Sequence, residues 1–333
     1  MPELVQVDLR RCDQIATVLR AFPLPPSQED FRLPNLDEDS ACNLVLCLVA
    51  ICHQTQDLRG SVSGVALRGW DYLSAKLTAA VQVNRFPLHP SGWSAMSAED
   101  VALLFSCDEH GETLSDPRGR AALLQDLGSV MIANGWGSLR EPYNRSGHRA
   151  VSGDQPLLEA LQEFRAYRDP VRKKSLYLIA LLKSCCGWTF SDEDRLPSPV
   201  DYHEVRGHLR IGTVKIVSQD LLEKLRGNRS VTDDEDVAIR SCVQRAIAQI
   251  AQSIGGVQPT TLHYLLWNLF RNVCLRQGPQ CERVSALGTL PERYEYLTKL
   301  HGGTPACPFR QVCSAHASHV YAIEHNNPST IWY

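Results

Sequence analysis

One carboxylate in the middle of the sequence, Asp201, is a candidate for a catalytic residue. Asp201 follows a loop that contains Pro197 and Pro199, and proline disfavours helix in the residue before it. From Tyr202 onward apolar residues recur at helical spacing as far as Gly212, which predicts a helix with Asp201 near its start. A carboxylate is favoured there by the helix dipole and can meet a developing positive charge. The alternative is that Asp201 only caps the helix.

Four cysteines near the end of the sequence are the second group of chemically useful side chains. Cys274 and Cys281 are separated by six residues, and a stretch of 25 residues follows. The second pair, Cys307 and Cys313, is separated by five residues. Four thiolates on loops can hold a 4Fe-4S cluster or a tetrahedral zinc ion, so the pattern predicts an iron–sulfur site, with zinc as the alternative. The cysteines interpreted as core residues of apolar helices are Cys42, Cys47, Cys52, Cys185, Cys186 and Cys242.

Helical spacing of apolar residues dominates the rest of the sequence and predicts an all-α fold. Only Thr213–Val217 has the alternation of a strand. The helix predicted from Asp154 should end near Tyr167. The other predicted helix starts are Asp39-Ser40, Asp116-Pro117, Thr232 with Glu235 as a capping box, and Pro259.

The composition restricts the partners and the compartment. The 333 residues suffice for one large domain or two small ones, and the net charge of -3 gives no overall attraction to polyanions. Nucleic acid would therefore need a local basic patch. Twelve cysteines without a secretory leader predict a cytoplasmic protein with reduced thiols. The longest apolar run, Leu44–Cys52, is too short to span a membrane.

The run from Leu262 to Cys281 and the segment Val200-Asp201-Tyr202-His203 together resemble one known family. They are similar to the endonuclease III type of helix-hairpin-helix DNA glycosylase, whose iron–sulfur loop has cysteine spacings of six, two and five. This chain has six, 25 and five. The family's Val-Asp-x-His segment carries its catalytic Asp, so the resemblance implies that Asp201 is catalytic.

Two further positions take roles from the same resemblance. The segment Arg168–Ser175 looks like a degraded helix-hairpin-helix turn, and Lys174 falls where bifunctional members carry a Schiff-base lysine. Gln54 falls near the Gln that such enzymes place at the DNA. The alternative for Lys174 and its neighbour Lys173 is a solvated basic turn or a phosphate contact.

Short stretches spread over roughly residues 41 to 333 resemble a second family. They are Gly69-Trp70, Tyr167-Arg168-Asp169, Val200 to His203, Asp236 to Cys242, and Ile331 to Tyr333. They are similar to the queuosine salvage proteins, nucleosidases that free queuine and share the DNA-glycosylase helical fold. This resemblance again implies that Asp201 is catalytic. That family has Asp where this chain has His263 and Asn268, so a base other than queuine is expected.

The implied chemistry gives roles to several side chains. Cleavage of an N-glycosidic bond passes through an oxocarbenium-like sugar, which Asp201 can stabilise while it orients or activates the attacking water. Lys174 could instead attack as an amine, if burial lowers its pKa. His203 and His263 are interpreted as hydrogen-bonding groups rather than metal ligands. The aromatic candidates for stacking on the base are Trp188, Tyr202 and Trp267.

Together these patterns predict a two-lobed, all-α, glycosylase-like fold with the active site between the lobes. The expected parts are an N-terminal segment (1–38), a helical core (39–270) and a cysteine loop with the C-terminal tail (271–333). The predicted activity is hydrolysis of the bond between ribose or deoxyribose and a modified, purine-like base of the 7-deazaguanine type. The alternatives are a base-excision DNA glycosylase, with or without lyase activity, and a non-catalytic binder of modified nucleic acid. The expected partners are a modified nucleoside or nucleotide, or modified DNA, bound by a cytoplasmic monomer that would associate with the nucleoid if it repairs DNA.

Overall fold

A computed structural model describes residues 4–24, 31, 33–285, 290–299 and 304–333. The protein is mostly helical, with 53% helix and 6% strand, which confirms the predicted class at this coarse level. None of the helices in the described part of the chain combines the length and the apolar character needed to cross a membrane.

The secondary structure consists of helices connected by short strands and turns. The α-helices are α1 (Leu9–Leu19), α2 (Glu38–Ala50), α3 (Gly69–Gln82), α4 (Pro90–Ser94), α5 (Ala98–Phe105), α6 (Pro117–Ala133), α7 (Arg140–Arg145), α8 (Leu157–Leu161), α9 (Lys173–Cys186), α10 (Tyr202–Ile211), α11 (Gln219–Arg226), α12 (Asp233–Ile254), α13 (Pro259–Asn272) and α14 (Ser314–Ala317). The strands are β1 (Val5–Val7), β2 (Arg59–Val62), β3 (Val65–Arg68), β4 (Ser106–Cys107), β5 (Gly111–Glu112) and β6 (Val214–Ile216). They form three antiparallel pairs, β1 with β6, β2 with β3 and β4 with β5.

The chain divides into two compact units, and each contains segments that are distant in sequence. The first unit comprises residues 1–27 and 197–329. The second unit comprises residues 28–196 and 330–333. The N-terminal residues belong to the first unit because α1 packs on α12 and β1 pairs with β6.

Helices α10, α12 and α13 form the frame of the first unit. The buried apolar residues of these helices, together with Cys12, Ile15 and Leu19 of α1, form its core. The predicted capping box of α12 is present, with the side chains of Thr232 and Glu235 each bonded to the other's backbone N–H. Strand β6 lies within the segment that the sequence predicts as a strand.

The crossing of α10 and α13 is close because a glycine lies at the contact. A Cβ added to Gly207 of α10 would lie 2.2 Å from the ring of Phe270 on α13. The Phe270 side chain is only 2% exposed, so its ring is enclosed by its neighbours. Any larger residue at position 207 therefore forces the two helices apart.

We expect Gly207→Ala to lower the free energy of unfolding by about 2–3 kcal/mol, the cost of overpacking a core. Urea denaturation measures this effect. Gly137→Ala is the control, since a Cβ there meets only Glu141 Oε1 at 3.6 Å. Equal stability of the Gly207→Ala variant and the wild type would contradict the close crossing.

Candidate functional site

Asp201 lies at the N-terminal end of α10 and is held on two sides. It is the N-cap residue, and its Oδ1 accepts hydrogen bonds from the backbone N–H groups of His203 (2.8 Å) and Glu204 (3.4 Å). Its Oδ2 accepts a hydrogen bond from Trp267 Nε1 at 2.8 Å. The residue is 6% exposed. Helix capping therefore accounts for the hydrogen bonds of Oδ1, whereas Oδ2 is held by the side chain of Trp267 on another helix.

The residues beside Asp201 form a partly exposed aromatic rim. Tyr202, His203 and Trp267 are each half-buried. The rings of Tyr202 and His203 are 4.2 Å apart, and the edge of His203 faces Trp267 at 6.0 Å. Burial, together with the charge of Asp201, raises the pKa of the Tyr202 phenol to about 12, so the phenol keeps its proton at neutral pH. The structure thus brings four of the predicted site residues together.

Two arginines fix this rim, and the sequence analysis did not single out either of them for the site. Arg206 Nη2 lies 2.8 Å from His203 Nδ1 and donates to the carbonyl oxygen of Phe270 at 3.0 Å. The guanidinium carbon of Arg271 lies 4.9 Å from the centre of the Trp267 ring, a cation–π distance. Arg206 follows His203 by three residues on α10, and Arg271 follows Trp267 by four on α13, so helical spacing was the available signal.

His263 has a buried acidic neighbour that the sequence analysis also missed. Its Nδ1 lies 2.8 Å from Oε2 of Glu204, and the two side chains are 5% and 0% exposed. A buried carboxylate requires such a partner, because removal of an ionised group from water is costly. This contact joins α10 to α13, which supports a hydrogen-bonding role for His263.

Replacement of Trp267 by phenylalanine removes the indole donor and keeps an aromatic ring. We expect the variant to unfold with about 1–2 kcal/mol less free energy than the wild type, because a hydrogen bond to a charged acceptor is lost. Urea denaturation followed by circular dichroism measures the difference. An unchanged unfolding midpoint would show that Trp267 does not hold Asp201.

Lys174, the predicted Schiff-base residue, belongs to the second unit and is 0% exposed. Its Nζ donates to the carbonyl oxygen of Ala50 at 2.5 Å, at the C-terminal end of α2. Arg120, also fully buried, donates to His53 O at 2.6 Å and to Ile51 O. Two buried basic side chains thus donate to carbonyls at and just beyond the end of α2, whose own last turn contains no basic residue. This arrangement supports a structural role for Lys174, and its covalent role stays a prediction.

Gln54 and Trp188, two predicted substrate contacts, also belong to the second unit. Gln54 Nε2 donates to Thr330 O at 2.9 Å, so its amide holds the C-terminal segment. Trp188 is 3% exposed and stacks on Tyr143 at 3.9 Å between ring centres. Both side chains therefore have structural contacts, and their roles at a substrate stay predictions.

The four predicted metal ligands, Cys274, Cys281, Cys307 and Cys313, do meet in space. They line one cavity of about 20 Å³ together with apolar residues that include Phe270 and Phe309. Such a cavity has room for about one water molecule. Cys274 Sγ accepts a hydrogen bond from Arg210 at 3.5 Å, and Cys313 Sγ donates to Arg210 O at 3.3 Å.

These cysteines are nevertheless not arranged as a metal centre. In the described residues no group of three or more His, Cys, Asp or Glu side chains could hold a metal ion. Burial raises the pKa of Cys281 to about 11 and also raises the pKa of Cys307 and Cys313, which favours protonated thiols over the thiolates that bind metals. The prediction of a 4Fe-4S cluster, and its zinc alternative, is therefore wrong. The spacing was compatible with a cluster, but the packing around the sulfur atoms is that of an apolar core.

Comparison with known proteins gives no family. No protein-family model matches the chain, and no curated protein matches it. The two resemblances described above therefore depend on their motifs alone. Of those motifs, the segment around Asp201 forms a site together with Trp267 of the run from Leu262 to Cys281.

Proposed function

We propose that this protein is an N-glycosidase that hydrolyses the bond between ribose or deoxyribose and a modified, purine-like base, with Asp201 as its catalytic carboxylate. The observation that carries the proposal is the position of Asp201, almost buried and held by the N-terminus of α10 and by Trp267. A fixed carboxylate of this kind stabilises the positive charge that develops on the sugar. It can also orient or activate the attacking water.

The aromatic rim supports a flat, uncharged base as the leaving group. Tyr202 and Trp267 lie next to the carboxylate and are partly exposed, so a base can stack on them while the sugar meets Asp201. His203 is fixed by Arg206 and can hydrogen-bond to a heteroatom of the base. A 7-deazaguanine-type base offers both a flat face and polar edges.

The contacts of Lys174 and Gln54 in the second unit favour a salvage enzyme over a DNA repair enzyme. Lys174 and Gln54 are the residues that a DNA glycosylase with lyase activity would use, and both are engaged in contacts within the second unit. The net charge of -3 gives no general attraction to a duplex. We place the fold among the two-lobed helical glycosylases and the protein in the cytoplasm, where its twelve cysteines stay reduced.

The experiment that tests the proposal incubates the protein with a panel of modified purine nucleosides and nucleotides and separates free base by chromatography. Binding to a labelled DNA duplex is measured in parallel across a salt series. We expect release of base from at least one small substrate and no salt-dependent binding of duplex. Steeply salt-dependent duplex binding with excision of a base from DNA would replace salvage with repair. If the protein binds nucleosides or DNA but releases no base from either, the proposed glycosidase activity is wrong and a binding protein remains.

A further inference from the structure

A buried pair of side chains joins the two helices that carry the Asp201 site. Glu204 of α10 and His263 of α13 are 0% and 5% exposed, and His263 Nδ1 lies 2.8 Å from Glu204 Oε2. Glu204 follows Asp201 by three residues on α10. His263 precedes Trp267 by four residues on α13. Residues at these spacings are neighbours on one face of a helix, so the Glu204–His263 pair lies about one helical turn from the contact between Trp267 and Asp201.

Two other contacts act with this pair to fix how α13 lies against α10. One is the hydrogen bond from Trp267 Nε1 to Asp201 Oδ2 at 2.8 Å. The other is the close approach of Gly207 to the ring of Phe270, where an added Cβ would lie at 2.2 Å. Contacts at separate positions along both helices oppose sliding as well as rotation. Loss of one of them permits a small shift of α13, and a hydrogen bond weakens when its length and angle change.

We propose that Glu204 and His263 are positioning residues, which hold α13 where the indole of Trp267 fixes the carboxylate of Asp201. The inference rests on the proposed function, because it takes Asp201 as the catalytic group. A displaced indole no longer restrains Oδ2, so the carboxylate can turn away from the sugar and the attacking water. Misplacement of a catalytic group by about 1 Å can cost about 10²-fold in rate. The pair itself is enclosed, so it affects turnover through Trp267 and leaves substrate binding unchanged.

The polar character of the pair suits this positioning role. A buried carboxylate that loses its partner is costly, so an arrangement of α13 that separates His263 from Glu204 is disfavoured. Two apolar side chains at the same place would still pack after a small shift of the helices. A buried polar contact can therefore select one arrangement of two helices where an apolar contact would permit several.

The first test follows the indole N–H signal of Trp267 by nitrogen-15 NMR. The protein has six tryptophans, and the signal that disappears in Trp267→Phe identifies this one. We expect Glu204→Leu to move the signal in the direction in which Asp201→Asn moves it, because both weaken the hydrogen bond to the carboxylate. Glu204→Gln keeps an oxygen for His263, so the signal should stay at the wild-type position.

The control is a second contact between helices of the same unit. Lys224 of α11 lies 2.7 Å from Glu235 of α12, and Lys224→Met breaks this ion pair without touching α10 or α13. The indole signal of Trp267 should not move in this control. His263→Leu breaks the Glu204–His263 pair from the side of α13 and replaces Glu204→Leu if that variant does not fold.

The second test measures release of base by the same variants. We expect kcat of Glu204→Leu to fall about 10-fold to 10²-fold while KM stays within about twofold of the wild type. Added to Trp267→Phe, the same substitution should lower kcat by less than about twofold, because the pair acts through Trp267. An unmoved indole signal in Glu204→Leu would overturn the proposal, as would losses in kcat that multiply in the double variant. The NMR test needs no substrate, so a protein that releases no base would refute the proposed function while the indole signal still decides whether the pair positions Trp267.

Discussion

Asp201→Asn is expected to lower kcat for release of base by about 10³-fold or more, the usual effect of losing a group that stabilises or activates the transition state. The amide has no negative charge with which to meet the sugar cation. Substrate affinity should change little, because the aromatic rim remains. Steady-state kinetics on the substrate found in the nucleoside panel gives kcat and KM separately.

The matched control for this variant is a second capping aspartate of the same unit. Asp8 is the N-cap of α1, and its carboxylate accepts the backbone N–H of Arg11. Asp8→Asn perturbs a cap in the same way but lies outside the site, so its kcat should equal that of the wild type. Asparagine is itself a good capping residue, and circular dichroism should show both variants folded. Full activity of Asp201→Asn would remove this carboxylate from the mechanism.

Lys174→Met is expected to change how stability depends on pH. Burial lowers the pKa of Lys174 from 10.5 to about 7, with Lys173 and Arg120 contributing. Between these two values the unfolded chain binds a proton at this position that the folded chain does not. The free energy of unfolding contributed by Lys174 therefore rises with pH from about 7 to about 10.5 and is constant below that window. The rise should amount to roughly 3–5 kcal/mol over the window.

The measurement is the difference in unfolding free energy between wild type and Lys174→Met, taken from urea curves at several pH values under reducing conditions. The difference isolates Lys174, because the raised pKa of buried thiols such as Cys12 and Cys281 acts in the opposite direction in both proteins. Lys173→Met is the control, since it keeps the buried amine and removes a charge that contributes less than burial to the lowered pKa of Lys174. A difference that does not vary between pH 7 and 10 would mean that Lys174 keeps its proton in the folded protein.

Local signals in the sequence predicted several helix ends correctly, although α2 begins at Glu38 with Asp37 as its N-cap, before the predicted Asp39-Ser40. Asp201 and Gly212 bound α10, with φ of +83° at Gly212, and Pro259 begins α13. These positions are determined by the residue's own backbone preference and nearest hydrogen bonds, so a short window contains the information. Where a window holds competing signals, the prediction was less accurate. In place of the helix expected from Asp154 to Tyr167, α8 covers only Leu157–Leu161, and a separate 3₁₀ turn follows the extended residue Phe164.

Contacts between distant segments could not be predicted from short windows of sequence. Lys174 donates to Ala50 O, and the partner of His263 is Glu204; both pairs are distant in sequence and meet only in the folded chain. The four cysteines near the C-terminus are a second example, in which a sequence pattern suggested a site that the fold does not form. Their types and spacing were compatible with a metal, but whether four sulfur atoms point at one centre is decided by packing around them, which spacing does not encode.

The first unit combines residues 1–27 with residues 197–329, and this separation affects how the unit folds during synthesis. Helix α1 ends at Leu19, and its partner α12 begins at Asp233, roughly 200 residues later. At a synthesis rate of about 5–20 residues per second, α1 waits on the order of 10–40 s for that partner. During this time the helix on which its apolar face packs, with Ile15 and Leu19, has not yet been made. We therefore expect ribosome-associated chaperones to bind residues 9–19 of nascent chains stalled before residue 233, and to release them once α12 has emerged.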